Sequence, residues 1–174
     1  MLTYLLDTNI VIYILKRRPM SVLAKFNQHA DQLAISMITY AELLHGIAKS
    51  TSPTKNKLAV EEFVSHLRIV DYDQKAAAHY GHIRACLEKC GNLIGVNDIH
   101  IAAQARSAGM VMVTNNMNEF TRVDGLLTEN WVGHFLNCAL NPPLLKTRSA
   151  ADAVSHAVTT TPDALVLRDK TGDE

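Results

Sequence analysis

A chain of 174 residues, 48% of them hydrophobic, has the length and apolar content for one buried core, which argues against wholesale disorder. Acids and bases balance at 17 each, so no global field draws in nucleic acid and such a reading must rest on local features. Three cysteines in a chain too long to need covalent staples fit a reducing cytoplasm, and no apolar run approaches the ~18 residues of a membrane helix.

Residues 2–6 form a short apolar run that meets Asp7 at once and has no basic flank, so it reads as a buried strand and not as a signal peptide. Asp7, Thr8 and Asn9 then lead into a helix over residues 10–16. Pro19 can open a second helix at its first position, where a missing N–H costs nothing. Residues 33–36 are the second strand and run into a helix over 39–49, with Leu43, Leu44 and Ile47 at helical spacing. Pro53 starts another helix, and residues 68–70 are a weak third strand. Asp73 caps a long helix that Gly91 stops. Asn97 caps the next, residues 98–108, which ends at Gly109. Residues 110–114 are a fourth strand and 126–129 a last edge strand. Apolar strands alternating with helices predict an α/β fold with three layers, α/β/α, around a central, mainly parallel sheet of about five strands with right-handed crossovers.

The composition changes after Trp131, where Pro142, Pro143, Pro162 and a threonine run interrupt the chain and Phe135 is the last aromatic. Residues 1–133 therefore read as the domain and 134–174 as an extension, largely disordered in isolation, with one possible helix over 149–158.

In open α/β sheets ligands gather beyond the carboxyl ends of the strands. Asp7 lies just past the first strand, Asn116 and Glu119 just past the fourth, Glu42 one turn into the helix after the second, and Asp98 in the first turn of its helix. Any one of these has an ordinary explanation as a helix cap, a dipole partner or a solvated face. Together, beside Ile38, Leu43, Ile99 and Ile101, they form carboxylates in a setting where mutual repulsion raises pKa values and a divalent cation relieves it. All-oxygen ligands suit Mg²⁺ or Mn²⁺, and a bound water made acidic by such an ion could attack a phosphodiester.

Four segments taken in order resemble the VapC family of PIN-domain toxins: Leu5-Leu6-Asp7-Thr8-Asn9, Ile38-Thr39-Tyr40-Ala41-Glu42-Leu43, Gly95-Val96-Asn97-Asp98-Ile99-His100-Ile101-Ala102-Ala103, and Val113-Thr114-Asn115-Asn116-Met117-Asn118-Glu119-Phe120. The likeness extends to Glu129-Asn130-Trp131 and so covers some ~130 residues, a span the handful of motifs fills at matching intervals. It implies an endoribonuclease whose Asp7, Glu42 and Asp98 hold a magnesium ion, with Asn9 and Thr114 as polar groups beside the acids. It also implies a VapB-type antitoxin as partner and a homodimer. The sequence departs from the family at Asn116, where many members carry aspartate; in the enteric VapC subgroup that it resembles most, Glu119 supplies the fourth carboxylate. For that subgroup the implied substrate is the anticodon stem-loop of initiator tRNA, whose cleavage stops translation.

Other features were weighed against this reading. His82, Cys86 and Cys90 share one helix face and could bind zinc, but thiols on a buried face are the plainer reading. His100 points roughly 200° around the helix from Asp98, away from any shared ligand. Lys16, Arg17 and Arg18, then Lys49, Lys55 and Lys57, could meet RNA phosphates or simply keep the surface soluble. Arg84 and Arg106 are further candidates. Met37, Tyr40 and Leu44, with Ile10, Tyr13 and Ile14, are either core or an apolar groove for an antitoxin helix. A phosphatase with Asp7 as nucleophile, of the haloacid-dehalogenase type, lacks its second aspartate because Asn9 stands there. The rival from a different class is a PIN-like module that binds RNA or a partner without cutting, which Asn116 alone favours.

Overall fold

The computed structural model describes residues 1–132; the expectations for residues 134–174, including the helix over 149–158, lie outside the described residues. Five strands form one parallel sheet: β1 (Tyr4–Leu6), β2 (Leu33–Ser36), β3 (Arg68–Val70), β4 (Val111–Val113) and β5 (Thr128–Glu129). They run in the order β3-β2-β1-β4-β5. The central strands β1, β2 and β4 are largely buried on both faces beneath the helices, which are α1 (Thr8–Lys16), α2 (Met20–Gln28), α3 (Met37–Lys49), α4 (Pro53–Ser65), α5 (Gln74–Lys89), α6 (Val96–Ala108) and α7 (Met117–Phe120).

The pleat of β1 sorts the core into two halves. Leu6 joins Ile10, Ile14, Phe26, Leu43 and Phe63, from α1 to α4, on one face. Leu5 joins Ile83, Leu87, Ile99, Met112 and Phe120, mostly from α5 to α7, on the other. The three-layer expectation therefore holds. Helix α6 is buried over much of its circumference, with Ile99, Ile101, Ala102, Ala103 and Ala105 and the polar Asp98 and Gln104 all inside, because it lies between the sheet and α5. No helix among the described residues is long and apolar enough to cross a membrane.

Several boundaries move for local reasons. Helix α1 starts at Thr8, two residues early, because the Asp7 carboxylate accepts from the Thr8 N–H and caps it at once. Pro19 is the N-cap of α2 and not its first helical residue. Helix α6 begins at Val96 with Gly95 as N-cap, so Asn97 is not the cap that the sequence led us to expect. The last strand shrinks to Thr128–Glu129. The thiol reading also fails: Cys86 and Cys90 are exposed, since α5 turns Ile83 and Leu87 to the core instead. Ile10 and Ile14 are fully buried, so that half of the candidate groove is core, whereas Met37 and Leu44 stay exposed on α3.

Trp131 closes the described core at the sheet's β5 edge. It is 1% exposed, lies edge-on to Tyr4 at 5.5 Å, and donates from Nε1 to Glu129 Oε2 at 2.9 Å. Trp131→Ala should therefore cost about 3–5 kcal/mol, read as a lowered denaturant midpoint. An unchanged midpoint would place the domain's last structural contact before Trp131.

Candidate active site

The register of the sheet aligns the ends of its central strands. Leu6 lies opposite Ile35 on one side and Val113 on the other, so the residues that follow β1, β2 and β4 emerge side by side. Asp7 is held there by its backbone as well, its N–H donating to the Val113 carbonyl at 2.9 Å. Its carboxylate, 1% exposed, accepts from the Thr8 N–H at 2.7 Å and from the Thr114 hydroxyl at 3.0 Å. One oxygen thus caps α1, as the ordinary explanation for Asp7 expected, while the other is tied across the sheet end to Thr114. Asn9, also buried, stands in the first turn of α1.

From Asp7 the contacts run outward in two directions. On one side the Thr114 hydroxyl accepts from the Asn116 N–H at 2.9 Å, and the Asn116 side chain in turn hydrogen-bonds Glu119. On the other, the Thr8 hydroxyl donates to Glu42 Oε2, and the Asn97 amide donates to Glu42 Oε1 at 2.9 Å. The two arms meet at the start of α6, where the Gly95 N–H donates to Glu119 Oε2 at 3.1 Å and Asp98 hydrogen-bonds Glu119. All four acids expected from the sequence are therefore linked, from four separate elements, in one ring.

The electrostatics follow from these contacts. Burial alone would raise the Glu119 carboxyl, but the bonds from Asn116, the Gly95 N–H and Asp98, with the charge of Arg122, outweigh it and hold the carboxyl below its ordinary value. Asp98 is 4% exposed and sits in the first turn of α6, where the helix dipole favours a negative charge.

Among the described residues no three His, Cys, Asp or Glu side chains stand ready-made as a metal cage. The Asp7 and Glu42 carboxylates accept from protein donors, Glu42 from a neutral donor on each oxygen. The oxygen-only donor set and the crowded acids nonetheless fit a hard divalent cation.

The basic residues fare differently. Lys16, Arg17 and Arg18 follow at the far end of α1, roughly 12 Å of helix from Asp7. Arg84 is paired with Glu88, and Arg106 is held by His79 and the Asp124 carbonyl. Arg122 acts on Glu119, a contribution the sequence reading missed because nothing in its surroundings marks it. Thr8, Gly95 and Asn97 were also missed as individual contributors, although all three fall within the segments quoted above. His100 turns away from Asp98, as expected, to hydrogen-bond Tyr72 and stack on Tyr80. A cavity of about 230 Å³ between α5 and residues 122–124 has Ile83, Leu87 and Val123 in its wall and contains none of the four acids, so the chemistry lies elsewhere.

Gly95 is required by space. A Cβ there would stand 2.8 Å from Asp98 Oδ2 and 3.4 Å from its Cγ. Gly95→Ala should keep the fold, at a cost of about 1–3 kcal/mol, and push the Asp98 carboxylate aside. An unmoved Asp98 carboxyl resonance in the NMR spectrum of that variant would show that the carboxylate had room.

Comparison with known proteins agrees with this geometry. The PIN domain family model matches residues 4–126. The chain is 57% identical to "Ribonuclease VapC2" of Haemophilus influenzae over 132 residues, which is 76% of this chain and 100% of that protein. It is 47% identical to the "tRNA(fMet)-specific endonuclease VapC" of Shigella flexneri, over 75% of this chain and 99% of the relative. Among solved structures, the DNA-bound VapBC of Salmonella typhimurium contains a chain that is 44% identical and superposes with a TM-score of 0.73, over 75% of this chain and 99% of that one. With a parallel five-stranded sheet, an acid ring at its carboxyl end and these relatives, the chain belongs to the VapC ribonucleases of the PIN-domain family.

Proposed function

We propose that this protein is the toxin of a toxin–antitoxin pair: a metal-dependent endoribonuclease that cuts a tRNA, initiator tRNA by its likeness to the Shigella relative, and so stops translation in the cytoplasm. The observation that carries the reading is the ring itself. Two nearly buried carboxylates, Asp7 and Asp98, are linked through hydrogen bonds with Glu42 and Glu119 at the carboxyl end of the sheet, a gathering of like charges that a cation would relieve.

Asp7, Glu42 and Asp98 are the residues that would hold Mg²⁺, with Mn²⁺ as a substitute, and Glu119 completes the acid set. Such an ion, when bound, lowers the pKa of a water and steadies charge on a phosphoryl oxygen. The protein's own share is orientation. Thr114 and the Thr8 N–H fix the Asp7 carboxylate, Asn116 and the Gly95 N–H fix Glu119, and Asn9 walls the first turn of α1 beside them. Glu119, held ionised, is placed to orient the attacking water. Lys16, Arg17 and Arg18, at the far end of α1, would meet phosphates elsewhere on the RNA backbone.

The partners follow from the same relatives. A VapB-type antitoxin is the expected inhibitor, since the solved relatives include VapBC complexes, and a homodimer is the expected assembly. Met37 and Leu44, exposed on one face of α3, offer apolar surface to a partner. A second reading, a binding module that does not cut, draws on Asn116 and on the lack of a ready-made cage among the described residues.

Cleavage of purified tRNA by antitoxin-free protein separates the two. We expect one discrete product with Mg²⁺ or Mn²⁺, none with EDTA, and at least a hundredfold loss in Asp7→Asn, which removes a charge at constant volume. A folded protein that binds tRNA and never cuts it would establish the binding module instead. We also propose that residues 1–133 suffice, because the Haemophilus relative is matched over its whole length by 132 residues and Trp131 is already buried. Truncation after Gly133 should leave the cleavage rate within about twofold, whereas an insoluble product would assign residues 134–174 a part in the fold.

A further inference from the structure

We propose that Asn97 is a positioning residue for the metal site: its side-chain amide, reaching from α6 to α3, sets the Glu42 carboxylate for a divalent cation. The inference rests on the reading of the acid ring as a metal centre.

Glu42 and Asn97 are 55 residues apart in sequence and come together only because α3 and α6 both begin at the carboxyl end of the sheet. Asn97 Nδ2 donates to Glu42 Oε1 at 2.9 Å, and the Thr8 hydroxyl donates to Oε2. The two oxygens are thus gripped from opposite sides, one by the first turn of α1 and one by the first turn of α6.

Asparagine at a helix start ordinarily spends its side chain on capping. Here Gly95 is the cap, no side-chain cap bond forms, and Asn97 is exposed. Its amide is therefore available for a longer reach, and the reach it makes is to a carboxylate of the ring.

The chemistry of the donor matters. An amide and a hydroxyl orient a carboxylate without cancelling its charge, whereas a lysine or arginine in the same place would compete with a cation for it. Glu42 is thereby aimed by neutral donors on both oxygens. Outer residues that orient metal ligands in this way typically change metal affinity by about 10–100-fold when removed.

The test is Mn²⁺ binding to the full-length protein, measured by calorimetry without RNA, for wild type, Asn97→Ala and Asn97→Leu, and for each in a Glu42→Gln background. Asn97→Leu keeps the volume and removes the donor, and both variants alter an exposed side chain. We expect Mn²⁺ to bind about tenfold more weakly in both single variants, and no further loss when either is combined with Glu42→Gln. In cleavage assays kcat should fall at limiting Mn²⁺ while KM for RNA holds. Unchanged Mn²⁺ affinity, losses that simply add to those of Glu42→Gln, or a wild type that takes up no Mn²⁺ would each overturn the proposal. A raised KM with intact Mn²⁺ affinity would make Asn97 an RNA contact instead. Coupled Mn²⁺ binding in a protein that cuts no RNA would sustain the role of Asn97 and sink the nuclease reading alone.

Discussion

The alignment of β1 with β4 and β2 is the constraint on which the site depends. Leu6, Ile35 and Val113 share one level across the sheet, so Asp7, Ser36 and Thr114 follow at the next. In a parallel sheet that level is also where the helices begin, and a helix start presents unpaired N–H groups and a partial positive charge. Asp7 caps α1 and Asp98 lies in the first turn of α6, so both acids gain from the backbone before any ligand is considered.

Gathering acids at one level has a cost, because like charges in a buried setting raise each other's pKa and destabilise the fold. The protein meets it with neutral donors: Thr8, Thr114, Asn116, Asn97 and the Gly95 N–H. Only Arg122 adds a positive charge that reaches Glu119. A ring fixed by neutral donors stays negative and ordered at once, which is the state a cation site needs before it is loaded. The same economy explains Gly95, whose missing side chain leaves room for the Asp98 carboxylate.

Much of this was legible in the chain. Apolar strands of three to five residues, helix starts marked by Asp7 and Asp73, and helix stops at Gly91 and Gly109 placed the elements to within a residue or two. The acids were legible because each follows a strand or opens a helix, and topology sends such positions to one place. The errors were ones of side-chain direction. Asn97 looked like a cap because asparagine favours that role, but Gly95 took it two residues earlier. Cys86 and Cys90 looked buried because thiols favour the core, yet Ile83 and Leu87 claimed the inner face of α5. Ile10 and Ile14 were indistinguishable by pattern from Met37 and Leu44, and only packing showed the first pair inside and the second outside.

The sequence by itself determined the class of fold and the identity of the acids, because periodicity and chain position are local properties that each residue carries with it. Only the tertiary structure decided how those acids are held. The bonds from Asn97 to Glu42 and from Thr114 to Asp7 span 55 and 107 residues, and no local preference encodes a contact at that range. It also decided that Arg122, unmarked in the chain, is folded back toward Glu119. Distance through space sets a charge's influence, and only the packed chain fixes that distance.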